Sequence, residues 1–311
     1  MTPRRPRRPD IEAAAFRVGS SVRRTPVITL LPDDTGLPGN VALKLELLQH
    51  TGSFKARGAL NSVLSLPPGT GGVCAASGGN HAAAVAWAAG RAGISADVFV
   101  PASATPAKIT RIERYGATIH LVEGQVREAL EAATAFSRAR SVPLLHPFDT
   151  FETVSGQGTL GLELEEQVPD ADLVVVGCGG GGLYAGLATA LEGAISVQPV
   201  EPEECPDLAE AIKAGHPVET EVGGMAADSL GAPHIGDIAF AVAQEQQVTP
   251  VLVAEADILT ARSFLWDRVR VLAEPGACVA LAALLSGAVS PSARETVVVI
   301  VSGGNNDTVP S

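Results

Sequence analysis

Aromatic side chains make up only 4% of the 311 residues, with two Trp and two Tyr. So small a supply argues against a platform that stacks nucleic-acid bases. Lysine is scarce too: of 22 basic residues, only Lys44, Lys55, Lys108 and Lys213 are lysines. The net charge of −12 and pI near 5.0 argue against a nucleic-acid partner. The one basic cluster, Arg4, Arg5, Arg7 and Arg8 in MTPRRPRRPD, reads as a disordered, solvated tail. No apolar segment follows it, so no secretory signal is expected. No apolar run reaches membrane-spanning length, so no membrane association is expected either. Cys74, Cys178, Cys205 and Cys278 include no CxxC pair. They suit buried thiols in a reducing compartment and predict a cytoplasmic protein. The six histidines lack HxxxH and HxH spacing, so no zinc site is expected.

What is abundant is glycine, with 33 residues, in a chain that is 46% hydrophobic. The length suits roughly two domains of about 150 residues. From residue 40 onward, short β-branched runs alternate with Ala-rich amphipathic stretches. NVALKLEL, GGVCAAS, SADVFVP and ATIHLVEG read as strands. A helix is expected from near Ser53, with its hydroxyl as cap. NHAAAVAWAAGRAG, TPAKITRIERYG and VREALEAATAFSRARS read as helices. A second series follows, with helices at SGQGTLGLELEEQ, GGLYAGLATALEG, CPDLAEAIKAG, EADILTARSFLWDRVRVLAE and CVALAALLSGA, and strands at DLVVVGCGG, ISVQPVEP and ETVVVIVSGG. The alternation predicts α/β units with parallel sheets and a ligand cleft between them.

VVVGCGGGGLYAG, residues 174–186, is the strongest local signal. An apolar strand runs into four glycines and then a helix. Such a turn brings unpaired N–H groups and the positive helix end to one spot, which is a phosphate seat. Four consecutive glycines weaken a helix start and offer no packing gain in return, so ligand approach is the expected reason for them. Gly177, Gly179 and Gly182 satisfy GxGxxG with Glu201 closing the next strand, so a dinucleotide pyrophosphate and a single phosphate both remain open.

Lys55 opens a predicted helix just after a strand, where burial and the positive helix end both lower an amine's pKa. Such an amine can form a Schiff base with a carbonyl cofactor. Lys44, inside a strand with Glu46 on its face, reads as an ion-paired surface residue. ASGGNHAAAVAWAA (76–89) is a second strand–turn–helix anion seat, where the amides of Ser77, Gly78, Gly79, Asn80 and His81 can hold a carboxylate. VIVSGGN (299–305) places Ser302 at the end of the last strand.

Taken together and in this order, SFKARGA, SGGNH, GGGGL and SGGN resemble the fold-type II pyridoxal-phosphate enzymes, above all the serine/threonine dehydratases and serine racemases. The likeness runs over roughly residues 25–307. It implies two open parallel-sheet α/β domains, tryptophan synthase β-like, with the cofactor in the cleft between them. On this likeness residues 1–68 with 146–311 are the large cofactor-binding domain and 69–145 the small substrate-loop domain. The resemblance makes Lys55 the Schiff-base lysine and the base that takes the Cα proton, with Phe54 beside the cofactor ring. It puts Asn80 on the ring hydroxyl, Ser302 on the pyridine nitrogen, Glu274 of LAEPGACVAL near the cofactor, and Gly179, Gly180, Gly181, Gly182 and Leu183 on the phosphate. Ser77 to His81 would bind the substrate carboxylate. A neutral hydroxyl at the ring nitrogen suits elimination, with the cofactor phosphate protonating the departing β-hydroxyl. The implied reaction turns L-threonine or L-serine into a 2-oxo acid and ammonia.

The likeness also divides. The racemases carry a serine where this chain has Gly78, which favours dehydratase over racemase; a 3-hydroxyaspartate dehydratase of the same family stays open as an alternative. The chain stops soon after SGGN, so no C-terminal regulatory domain is expected. Glu201, the Cys205 carbonyl and Asp207 match the spacing of a Mg²⁺ or Ca²⁺ site in the racemase-like branch; an acidic helix start would look alike. A homodimer is the implied assembly. An NAD-dependent oxidoreductase using 177–182 and a non-catalytic binding module are the readings outside the family's chemistry.

Overall fold

The computed structural model describes residues 4–306, and its strands form two sheets. The larger has the order β1 (Val27–Leu30), β2 (Asn40–Lys44), β9 (Thr296–Ile300), β6 (Leu173–Gly177), β7 (Ser196–Pro202), β8 (Val251–Val253). Only the edge pair β1–β2 is antiparallel. The smaller, parallel sheet holds β3 (Gly72–Ala76), β4 (Ser95–Pro101) and β5 (Thr118–Val122). Central strands are continuous apolar runs: TVVVI of β9 is buried at every position. Helices covering both faces of a parallel sheet require that pattern.

The helices are α1 (Arg8–Val18), α2 (Pro32–Thr35), α3 (Lys55–Leu64), α4 (Asn80–Ala92), α5 (Pro106–Glu113), α6 (Val126–Arg140), α7 (Phe151–Gln167), α8 (Gly182–Ala190), α9 (Asp207–Ala214), α10 (Ala227–Leu230), α11 (Asp237–Gln246), α12 (Glu255–Phe264) and α13 (Pro275–Leu285). Helix α7 positions the site. Glycines let its backbone touch two neighbours: a Cβ on Gly156 would lie 2.7 Å from Gly58 Cα of α3, and one on Gly186 of α8 would lie 2.6 Å from Gly158 N. The helix that starts with Lys55 and the helix that follows the glycine run are therefore packed on one support.

Four expectations are corrected. First, α3 begins at Lys55, and Ser53 does not cap it. The Ser53 backbone is extended and bridges Gly303, while its buried hydroxyl has no partner among the described residues. Second, α12 ends at Phe264, passes into a π turn at Leu265–Val269, and reverses at Arg270, where φ is 59°. Third, Lys44 is fully buried. Its amine donates to the Thr25 carbonyl (2.8 Å) and Gln167 Oε1 (2.6 Å) and pairs with Glu163. Arg57 meets Glu46 through two 2.8 Å bonds and Glu163 through one of 2.9 Å, completing a buried ionic network between β2, α3 and α7.

Fourth, the arginine cluster is no loose tail in its described part, residues 4–8; residues 1–3 lie outside the described residues. Arg8 makes a two-pronged pair with Glu165 (2.6 and 2.7 Å) and donates to the Ala190 carbonyl. Arg5 pairs with Glu245, and Arg4 stacks 4.2 Å from the Phe151 ring centre. These arginines spend their charge on the protein's own surface.

Candidate functional site

The site gathers where β9, β6 and β3 end, the edge at which open parallel sheets bind ligands. Lys55 occupies the first position of α3, and its Nζ donates to the Pro147 carbonyl at 2.8 Å. Burial pushes the amine down to about 8, against the pull of Glu274. The Phe54 ring centre is 5.1 Å from Nζ. The Phe54 amide donates to the Ser302 carbonyl at 3.0 Å, tying the start of α3 to the exit of β9.

The glycine run after β6 presents the backbone N–H groups of Gly179, Gly180, Gly181, Gly182 and Leu183. Among the described residues no acceptor meets any of the five. Consecutive free amides at the head of a nine-residue helix are a seat for an anion. The glycines themselves have a second reason that the sequence hides. A Cβ on Gly180 would lie 2.5 Å from three ring carbons of Phe148, and one on Gly182 would lie 2.6 Å from the Phe148 carbonyl. Gly181 has φ +81° with Ala239 packed against it. The expectation of no packing gain is therefore overturned: the glycines admit protein contacts on one side and leave their amides free on the other.

The 77–81 loop leaves β3. Its Ser77 amide is spent on the Phe99 carbonyl, and the Gly79 amide on Ser77 Oγ (3.1 Å). That leaves the amides of Gly78, Asn80 and His81 for an anion. Asn80 Nδ2 donates to Glu274 Oε1 (2.7 Å), and its Oδ1 accepts from Asn305 Nδ2 (2.6 Å). Burial pushes the Glu274 carboxyl up to about 7, against the Asn80 hydrogen bond. The His81 ring donates from Nε2 to the Leu145 carbonyl (2.9 Å), and burial, aided by the Lys55 charge, pushes it down to about 3. Its imidazole is neutral, so the loop offers dipoles and no cation. A Cβ on Gly78 would meet nothing closer than 3.4 Å, so a side chain there is missing by sequence and not by want of room.

Sequence reasoning missed the segment His146–Asp149 and Asn305. Pro147 holds the Lys55 amine. His146 Nδ1 accepts the Asp149 amide (2.9 Å), and burial pushes this ring down as well. Asp149 caps α11 through the amides of Asp237 and Ile238, both at 3.0 Å, while the Gly236 amide donates to the Gly180 carbonyl. The available signal was a polar HPFD turn between the apolar PLL and a Thr cap.

Glu201 and Asp207, expected as cation ligands together with the Cys205 carbonyl, both have partners within the protein. Both Glu201 oxygens accept amides at the start of α9, from Leu208 (2.6 Å) and Ala209 (3.0 Å). This also leaves Glu201 unavailable to a ribose. Thr220 donates to Asp207 Oδ1, and the Cys205 thiol faces the Gly223 carbonyl. Among the described residues, no three His, Cys, Asp or Glu side chains stand close enough to hold a metal ion.

Comparison with known proteins converges on one family. Residues 18–303 match the family model described as "Pyridoxal-phosphate dependent enzyme". An L-threonine ammonia-lyase from Thermotoga maritima is 36% identical over 306 residues, 96% of this chain and 75% of that protein. A phenylserine dehydratase from Ralstonia pickettii is 37% identical over 309 residues, covering 96% and 94%. The solved structure of maize serine racemase superposes with a TM-score of 0.90 at 33% identity, covering 97% of this chain and 94% of that one.

Proposed function

The chain belongs to the family of pyridoxal-phosphate-dependent enzymes, and on that premise we propose a deaminating dehydratase that converts L-threonine or L-serine to 2-oxobutanoate or pyruvate plus ammonia. One observation carries the reading: a buried amine with a lowered pKa, Lys55, beside two loops of unpaired backbone amides. The five free amides of Gly179 to Leu183 fit the cofactor's phosphate. Lys55 would hold the cofactor's carbonyl carbon, with Phe54, Asn80, Glu274 and Ser302 around the ring.

Bound cofactor supplies the sink for the electron pair left when the Cα–H bond breaks. The protein supplies the rest. Free amides of Gly78, Asn80 and His81 hold the substrate carboxylate and so fix which Cα bond faces Lys55. The Lys55 amine, substantially neutral near pH 8, accepts the Cα proton at Nζ. The Pro147 carbonyl keeps that nitrogen in place when it is free. The β-hydroxyl departs as water, and a water returns at Cα as ammonia leaves. Reprotonation of Cα from the opposite face would need a donor on the 77–81 loop. Gly78, where the racemases carry a serine, offers none, which supports elimination over racemisation.

We take residues 1–68 with 146–311 as the cofactor-binding unit and 69–145 as the substrate-loop unit. In support, β3–β5 lie within 72–122, and every strand of the larger sheet lies outside 69–145. A cytoplasmic homodimer is proposed on the family likeness, with light scattering as the check on assembly. No described helix is long and apolar enough to cross a membrane. A divalent cation near Asp207 is a separate proposal, supported by its buried Oδ2, which has no partner among the described residues. It requires Glu201 to release α9, and a melting temperature insensitive to Mg²⁺, Ca²⁺ and chelator would remove it.

The test is direct. Holoenzyme given L-threonine or L-serine should release equimolar 2-oxo acid and ammonia, with D-serine forming more slowly than pyruvate. Borohydride should fix the cofactor on the peptide containing Lys55. No oxo acid from either substrate, or attachment elsewhere, ends the reading.

A further inference from the structure

Asn305 closes the SGGN turn after β9, and it touches both sides of the site. Its Nδ2 donates to the Thr51 carbonyl (2.8 Å) and to Asn80 Oδ1 (2.6 Å), and its backbone amide donates to Glu274 Oε2 (3.3 Å). Thr51 stands just before the Lys55 segment, in a left-handed turn with φ 65°. Gly52 follows it at φ 77°, and a Cβ there would collide with Asn305 Oδ1. The Gly304 amide donates to the Gly52 carbonyl at 2.9 Å, so the two turns are bonded to each other.

These bonds have a fixed direction. A backbone carbonyl only accepts, so the nitrogen end of the Asn305 amide must face Thr51. Its second hydrogen then points to Asn80, which must present Oδ1. The nitrogen end of Asn80 is thereby turned to Glu274, where one hydrogen goes to Oε1 at 2.7 Å. The other N–H of Asn80 has no acceptor among the described residues.

Glu274 cannot set that direction by itself. Burial raises its carboxyl to about 7, with Asp228 and Arg111 acting on it in opposite senses. Near neutral pH it is therefore present both as acceptor and as donor. Facing a protonated Glu274, an unsupported Asn80 amide can turn end for end and offer its oxygen where the free N–H now stands.

We propose that Asn305 is a positioning residue: by fixing the direction of the Asn80 amide, it gives the cofactor's ring oxygen a hydrogen-bond donor and never an acceptor, and so holds that oxygen deprotonated. This rests on the cofactor reading of the site and deepens it.

Bound cofactor absorbs in the visible with its ring oxygen deprotonated and in the near ultraviolet with it protonated. In Asn305→Ala holoenzyme the visible-to-near-ultraviolet ratio should fall roughly tenfold, the effect of one lost hydrogen bond to a charged group. Asn305→Asp, of the same shape but without the donor, should behave alike. Asn80→Ala should lower the ratio as far, and adding Asn305→Ala to it should change the ratio by less than about twofold, because the group it acts through is gone. A ratio unchanged within about twofold in both Asn305 variants overturns the proposal. So does an equal fall with and without the Asn80 side chain, which would make Asn305 a structural support only, and so does failure of both variants to fold. A wild type with no visible band, or borohydride fixing the cofactor away from Lys55, overturns the cofactor reading together with this proposal; a wild-type band that ignores Asn305 overturns this one alone.

Discussion

Lys55 and Glu274 are moved from their ordinary pKa values by one cause in opposite directions. Burial disfavours charge, so the amine falls to about 8 and the carboxyl rises to about 7. For Glu274 the folded state binds a proton more tightly than the unfolded chain does. The stability this confers is complete below the ordinary carboxyl value of 4.5 and is lost as pH climbs through about 7. At roughly 1.4 kcal/mol per unit, the full loss is about 3 kcal/mol. Glu274→Gln keeps an acceptor for Asn80 and removes the titration. In urea unfolding of cofactor-free protein at about pH 5 and about pH 8, wild type should lose about 2–3 kcal/mol more than Glu274→Gln between the two. Equal losses would mean that the carboxyl does not titrate in that window.

Helix α3 carries the proposed Schiff-base lysine, Lys55, and is anchored by Arg57, two residues on. Arg57 is 1% exposed and holds the carboxylates of Glu46 and Glu163, which are themselves buried or nearly so. Removing one partner of such a network strands the others, at a cost of about 3–5 kcal/mol. Arg57→Met should therefore lose about that much in denaturant titration, and adding Glu46→Leu should restore a sizeable part by removing a stranded charge. A single-variant loss under about 1 kcal/mol would leave the network without structural effect. This anchorage also shows what the sequence could not disclose. Strands, glycine turns and the loops bearing Lys55, Asn80 and Ser302 are legible because turn chemistry and strand exits are local. Lys44 was misplaced because its burial depends on Glu163, far along the chain in α7. The packing reason for Gly180 was hidden because Phe148 approaches from a different loop. The EADILTARSFLWDRVRVLAE stretch holds no proline or glycine to signal an end, yet the helix stops at Phe264 and the chain reverses at Arg270.

At the scale of the whole molecule, several polar contacts between the part bearing the small sheet and the rest lie beside the proposed substrate seat. Asn80, at the exit of the small sheet, reaches Glu274 and Asn305 of the larger part. Nearer the surface Lys108 of α5 pairs with Asp228 of α10, and a Cβ on Gly79 would lie 3.9 Å from the Asp228 carbonyl oxygen. The 77–81 loop, α5 and α10 thus share one rim, so on the proposed reading the ion pair bears on how firmly the loop is held near Lys55. Asp228 is 60% exposed, which keeps the pair in the range of about 1 kcal/mol or less and open to screening. It should act on binding and not on chemistry. Asp228→Asn is expected to raise KM about twofold to fivefold with kcat little changed. Raising salt from about 0.05 M to about 0.5 M should raise the wild-type KM toward the variant's and leave the variant's nearly flat. A variant that loses kcat with an unchanged KM would instead place Asp228 in the chemical step, through the charge it presents to Glu274.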